Sequence, residues 1–131
     1  MLMPVVYLLI AVALVYSVMY FLRFNKQSKE ITNYTPEQVA EKRKADTNIV
    51  ILDVRTNMER KRNMIAGSIH IPLGDIDSRI AELNQYKSKE IICYCQGGVR
   101  SVSAASNLHG KGFHASNMLG GIAAWNAKNL K

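Results

Sequence analysis

Ile91-Ile92-Cys93-Tyr94 runs directly into Cys95-Gln96-Gly97-Gly98-Val99-Arg100-Ser101, and a helical pattern comes next. Four apolar residues closed by a turn signal read as a strand buried on both faces. The glycine pair reads as a tight loop. A strand, a loop and a helix in this order are the building unit of a parallel α/β sheet, and ligands bind at the carboxyl ends of its strands. Cys95 stands at that end. The helix after the loop turns its free N–H groups and positive dipole end towards whatever sits there. Gly97 and Gly98 let the backbone curl until several N–H groups face one point. Such a nest holds an anion and favours the ionised form of a nearby thiol. Arg100 adds a fork suited to oxyanions. The stretch predicts an activated thiolate in an anion-binding cradle.

The alternation continues outward. Thr35-Pro36-Glu37-Gln38 reads as a helix start, with Thr35 as cap, Pro36 in the first turn and Gln38 completing a capping box; the helix is expected to reach about Lys44. Asp46 to Asn48 is a turn, and Ile49-Val50-Ile51-Leu52 is a buried strand that ends at Asp53-Val54-Arg55. Thr56 to Met64 is polar and basic, with room for one helical turn. Ser68-Ile69-His70-Ile71 is a second short strand, stopped by Pro72. Asp75 is expected to cap a helix with Ile76, Ile80 and Leu83 on one face. The helix from Ser101 to about His109 is expected to bury Val102, Ala105 and Leu108, and to end at Gly110 or Gly112. Ser116 to Leu119 is a last strand, and Gly120-Gly121 turns into a short helix carrying Trp125 in the core. The class is α/β with a mainly parallel sheet.

The 131 residues suffice for one small domain and an appendage. No charged side chain occurs from Met1 to Leu22, whereas all 17 Lys and Arg and all 10 Asp and Glu lie beyond. The apolar run matches the length of about 20 residues that a helix needs to cross hydrocarbon. A cleaved signal sequence is the competing reading, but it wants a charged start and a small-x-small site, and the run ends in bulky Met19-Tyr20-Phe21-Leu22. The domains expected are a transmembrane helix over 1–23, in lipid through residues 2–22, a juxtamembrane linker over 24–33 and a folded domain over 34–131. Arg23, Lys26 and Lys29 come after the span, so the domain is expected in the cytoplasm of a single-pass membrane protein. The net charge of +7 suits anionic headgroups near the span; Lys42-Arg43-Lys44 and Arg60-Lys61-Arg62 read as solvated faces. No aromatic-interleaved basic patch points to nucleic acid.

Cys93 and Cys95, spaced Cys-x-Cys, make no disulfide framework, and with the scattered His70, His109 and His114 they offer no metal site. No cofactor is expected. Cys93 reads as an inert strand thiol, His70 as a strand residue satisfied locally, and His109 and His114 as surface.

Residues 95–101 resemble the active-site loop of single-domain rhodaneses, the thiosulfate sulfurtransferase family. Asp53-Val54-Arg55-Thr56 with Glu59 resembles that family's Asp-Val-Arg segment and its downstream glutamate. Ile65-Ala66-Gly67-Ser68-Ile69-His70-Ile71-Pro72 resembles the lead-in to its second strand, and Leu119-Gly120-Gly121-Ile122-Ala123-Ala124-Trp125 its closing element. Four segments in order cover the chain from about Tyr34 to Lys131. The resemblance implies a rhodanese-like α/β fold, with a central parallel sheet and helices on both faces. Asn57, Met58, Arg60 and Asn63-Met64 depart from the usual pattern, outside the loop.

The resemblance and the loop's physics imply the same chemistry. Cys95 attacks the outer sulfur of a donor such as thiosulfate, and the resulting persulfide passes sulfur to cyanide or a cellular thiol. The donor-binding residues expected are Gln96, Gly97, Gly98, Val99, Arg100 and Ser101, with Gln96 at the open face. Arg100 either steers the anionic donor or pairs with Asp53 or Glu59 to stiffen the loop. Asp53, Arg55 and Glu59 are expected to brace the loop. A cysteine phosphatase is a rival, although its loop is Cys-x5-Arg and this one is Cys-x4-Arg. Further alternatives are a persulfide carrier fed by a protein donor, and a tethered docking module without activity.

Overall fold

A computed structural model describes residues 1–29 and 31–131. The chain divides into two units, Met1–Glu30 and Ile31–Lys131. The first is the helix α1, Met3–Lys29. Its segment Met3–Arg23 is long and apolar enough to cross a membrane, spanning about 32 Å at the usual rise per residue. A signal sequence near an N-terminus has the same properties.

The second unit is a sheet of five strands, all parallel, in the order β1-β5-β4-β2-β3. They are β1 Thr32–Tyr34, β2 Ile49–Asp53, β3 Ile69–His70, β4 Glu90–Tyr94 and β5 His114–Met118. The helices are α2 Pro36–Ala45, α3 Asn57–Arg62, α4 Arg100–Gly110 and α5 Gly121–Ala127. Val39 and Ala40 of α2 and Ile122 and Trp125 of α5 bury one face with Ile51, Ile92, Tyr94 and Met118. Ala104, Ala105 and Leu108 of α4 bury the other with Ile76, Leu83, Leu52, Ile91 and Cys93. Strand β4 is in the middle and buried throughout, which is why its run is continuously apolar.

The capping box of α2 forms as its sequence predicts: Gln38 N–H donates to Thr35 Oγ1, and Thr35 N–H donates to Gln38 Oε1. Other expectations need correction. The linker expected over 24–33 holds the end of α1, to Lys29, and most of β1, while residue 30 lies outside the described residues. Thr32-Asn33-Tyr34 is polar and gives no alternation signal. It becomes a strand because β5 pairs with it and because Asn117 Nδ2 donates to Asn33 Oδ1.

No capped helix starts at Asp75. Two 3-10 segments, Leu73–Asp75 and Ile80–Tyr86, take its place, and Arg79 at φ −110° and ψ 14° interrupts the run between them. Ile76 and Leu83 are nevertheless fully buried. In α4 the buried face is Ser101, Ala104, Ala105 and Leu108, spaced i, i+3, i+4, i+7, and Val102 is 36% exposed. The last strand begins two residues earlier than expected, at His114, and ends at Met118.

One buried ionic knot ties the sheet to the segment after β2. Asp53, fully buried at the end of β2, accepts from Arg55 Nε (3.0 Å) and Nη2 (2.9 Å), Arg60 Nη1 (3.2 Å) and the Tyr94 hydroxyl (3.0 Å). Burial pushes the Asp53 carboxyl up, but the hydrogen bonds and charge of Arg55 and the Tyr94 hydroxyl outweigh it and hold it below the usual range. The stability this contributes is present above the unfolded carboxyl pKa and is lost as pH falls through the lower folded value. Asp53→Ala strands the buried Arg55 guanidinium. Urea denaturation of this variant is expected to show a loss of about 3–5 kcal/mol.

Candidate active site

Cys95 lies just past β4 at its carboxyl end and is buried, at 1% exposure. Its Sγ accepts from Gly98 N–H at 3.0 Å and lies 3.3 Å from Ser101 Oγ. Burial pushes the thiol up; the Ser101 hydroxyl and the N–H groups of Ser101, Gly98 and Gly97 pull it down by more, so it lies below the ordinary cysteine value. Cys93, two residues earlier, has no such ring. Burial, with the charge of Cys95 beside it, pushes its thiol up to about 12. The two surroundings move the two thiols in opposite directions, Cys95 down and Cys93 up.

The loop's carbonyls point the other way. Ile122 N–H donates to Cys95 C=O (2.9 Å), and Ala123 N–H donates to Gln96 C=O (3.2 Å). The first turn of α5 thus accepts the outward side of the loop, leaving the inward N–H groups to the sulfur. Close approach makes this possible. A Cβ on Gly121 would stand 2.4 Å from Cys95 C=O, and one on Gly98, at φ +98°, would stand 2.9 Å from Gly120 N. A Cβ on Gly97 would meet nothing within 4 Å. Gly120-Gly121 therefore belongs to the site, a role that the sequence alone does not assign to it. Its signal is a glycine pair opening a helix, which reads as a turn until the facing carbonyls are known.

Gln96, Gly97 and Val99 are exposed, with Val99 at 80%, and Gly98 and Arg100 are half-buried. Arg100 is brought to Glu59 and not to Asp53: Nη1 donates to Oε1 (2.7 Å) and Nη2 to Oε2 (2.8 Å). This fork pulls the Glu59 carboxyl down to about 2, helped against desolvation by bonds from Thr56. Glu59 Oε1 also accepts from Thr56 N–H, closing the capping box of α3. One carboxylate caps α3 and ties it to the start of α4.

Of the three bracing candidates, Glu59 touches the loop directly. Asp53 acts one step away, through Tyr94, the residue before Cys95. Arg55 turns from the loop, to Asp53 and to Asn63, whose Oδ1 (3.0 Å) and C=O (2.6 Å) accept from it. Arg60, one of the departures from the family pattern, reaches Asp53 and Ser68. His70 Nε2 lies 2.7 Å from Arg55 C=O and is satisfied locally. No group of three or more His, Cys, Asp and Glu among the described residues could hold a metal ion.

Fold and site define a class: a parallel α/β domain that keeps one low-pKa cysteine in a ring of main-chain amides. Residues 35–128 match the family described as the rhodanese-like domain, and the chain belongs to that family. A Bacillus subtilis protein named "Putative sulfurtransferase YtwF" is 34% identical over 96 residues, covering 73% of this chain and 91% of that protein. A sulfurtransferase of Allochromatium vinosum is 31% identical, covering 72% and 89%. A rhodanese-like domain protein from Staphylococcus aureus superposes with a TM-score of 0.70 at 29% identity, over 77% of this chain and 97% of that one. A Rhodopseudomonas palustris protein of unknown function, described as a possible tyrosine phosphatase, has the same fold at a TM-score of 0.73 and 25% identity, covering 82% and 88%. The family and its relatives' names support sulfur transfer in general.

The glycines make the cradle testable by alkylation. The pH midpoint for reaction of Cys95 with iodoacetamide is expected below that of a free cysteine and unchanged in Gly97→Ala. In Gly98→Ala the loop must shift, and the midpoint is expected to rise.

Proposed function

We propose that the chain is a membrane-anchored sulfurtransferase that carries sulfane sulfur as a Cys95 persulfide. The observation that carries this reading is the ring of N–H groups around Cys95 Sγ, since it stabilises a thiolate before reaction and an anionic persulfide after it. Cys95 thiolate attacks the outer sulfur of thiosulfate; the S–S bond of the donor breaks, and sulfite leaves with its electron pair. A thiolate or cyanide then attacks the outer sulfur of the persulfide, and Cys95 leaves as thiolate. Neither step requires a general base. Gln96, Gly97 and Val99 form the exposed approach, Gly98 and Ser101 hold the sulfur, and Arg100 attracts the anionic donor while Glu59 keeps it in place. Asp53 and Arg55 are positioning residues, acting through Tyr94 and the segment after β2.

A cysteine phosphatase is disfavoured by loop length. Four residues separate Cys95 from Arg100, and Gly98 N–H is already at 3.0 Å from Sγ, a ring sized for one sulfur. A carrier fed by a protein donor keeps the same persulfide and differs only in the source of sulfur. Mass spectrometry of the full chain in detergent after thiosulfate treatment tests the site. One added sulfur is expected in wild type and in Cys93→Ser, and none in Cys95→Ser. Retention of the added sulfur in Cys95→Ser overturns the assignment.

The anchor reading rests on α1, with no charge up to Leu22 and Arg23, Lys26 and Lys29 after it. The catalytic domain is proposed on the cytoplasmic side, with lipid around residues 2–22. Protease added to intact cells is expected to leave the C-terminal domain whole; digestion there reverses the orientation.

A further inference from the structure

Helix α3 has two working faces. Glu59 looks to the loop, through Arg100. Asn57, Arg60 and Lys61, spaced i, i+3, i+4, share another face, and with His70 they line a hollow of about 340 Å³. None of these four residues is acidic.

The charge count around this hollow does not balance. Asp53 is one carboxylate with two guanidiniums on it, Arg55 and Arg60. Arg55 alone neutralises it, through two side-chain bonds in a site from which water is excluded. The second cation is therefore unmatched. Arg60 is anchored by Nη1 to Asp53 and Ser68 Oγ and by Nη2 to Ser68 C=O, which fixes the plane of its guanidinium beside the hollow. Lys61 adds a further positive charge. His70 has Nε2 bound to Arg55 C=O, so its ring is also held in place. A preset guanidinium, an ammonium and a carboxamide around one hollow are the donor set of an oxyanion site, and the His70 ring forms its wall.

We propose that this hollow binds a tetrahedral oxyanion, a phosphate or sulfate group, at a site separate from Cys95. Arg60 and Lys61 supply the charge; the Asn57 carboxamide supplies orientation. As a sequence, Arg60-Lys61-Arg62 reads as a solvated face. What changes that is the sharing of Asp53, which leaves Arg60 both rigid and short of a counter-ion. The same chemistry comes from two sources, a free anion or the headgroup of an anionic lipid, and the test separates them.

Inorganic phosphate is the first probe. The full chain carrying Cys95→Ser, in nanodiscs of zwitterionic lipid, is titrated at constant ionic strength while the His70 ring and the Asn57 and Lys61 amides are followed by NMR. Saturable shifts are expected, and Lys61→Glu is expected to weaken binding by about tenfold, equivalent to about 1.4 kcal/mol. Nanodiscs of anionic lipid without phosphate form the second arm. If the shifts appear there and phosphate alone gives none, the site takes a headgroup. Absence of shifts in both arms overturns the proposal, as does saturable binding that Lys61→Glu leaves unchanged. Cys95→Ser removes sulfur chemistry from both arms, so neither result depends on the sulfur-transfer reading.

Discussion

The backbone between Cys95 and Val99 has to present its N–H groups inward and its carbonyls outward, and the outward carbonyls need donors. Helix α5 provides them, through Ile122 and Ala123. This puts the end of the domain against the middle of it. A carbonyl buried without a donor costs roughly 1–3 kcal/mol, so two such bonds decide between this loop shape and a flatter one. They form only because Gly98, Gly120 and Gly121 let two main chains come closer than any side chain permits. The thiol below the ordinary cysteine value is a consequence of that contact. Ring, carbonyls and glycines form one arrangement, and none is useful without the others.

The charged residues fix that arrangement from the side. Glu59 is held by Arg100 and Thr56, so the start of α4 and the start of α3 share one carboxylate. Asp53 holds Tyr94, which also accepts from Ile65 N–H and bonds Ser68 Oγ, and so fixes the residue from which Cys95 departs. The two carboxylates differ in environment. Asp53 is fully buried and its partners are preset by packing, whereas Glu59 is partly exposed and its fork with Arg100 can open without exposing the core. The loop is therefore rigid at its base and adjustable at its rim.

Most of the fold could be read from the sequence because local and global signals agree. Continuous apolar runs marked β2 and β4, a capping box marked α2, and glycines marked both loops. Where the sequence misleads, the deciding force lies elsewhere in the chain. Strand β1 is polar and exists through its pairing with β5, and Asn33 with Asn117 gives it a polar anchor that no periodicity reveals. The buried face of α4 is displaced by one residue because small side chains, Ser101, Ala104 and Ala105, let the helix lie close to the sheet, and Val102 is left outside. At the candidate site, the ring of N–H groups around Cys95 Sγ was legible from the glycines and the helix start that come after it. The service of Gly120-Gly121 was not, because a glycine shows what a backbone can do and not which carbonyl it approaches.

Two cysteines two residues apart, one inside β4 and one just past its end, show what controls a thiol. Cys93 and Cys95 share the same cluster of buried side chains and are both inaccessible in bulk terms. Burial alone moves both upward, and for Cys93 nothing opposes it. Two residues later the strand has ended, its backbone hydrogen bonds are no longer taken by neighbours, and the freed N–H groups turn to the sulfur. The difference between an inert thiol and an ionisable one is the ending of the sheet. A strand that continued one turn further would pair those amides with β2 or β5 and leave Cys95 as silent as Cys93. The position of the lowered thiol is set by where pairing stops, so any change that lengthens β4 acts on that thiol without touching the cysteine.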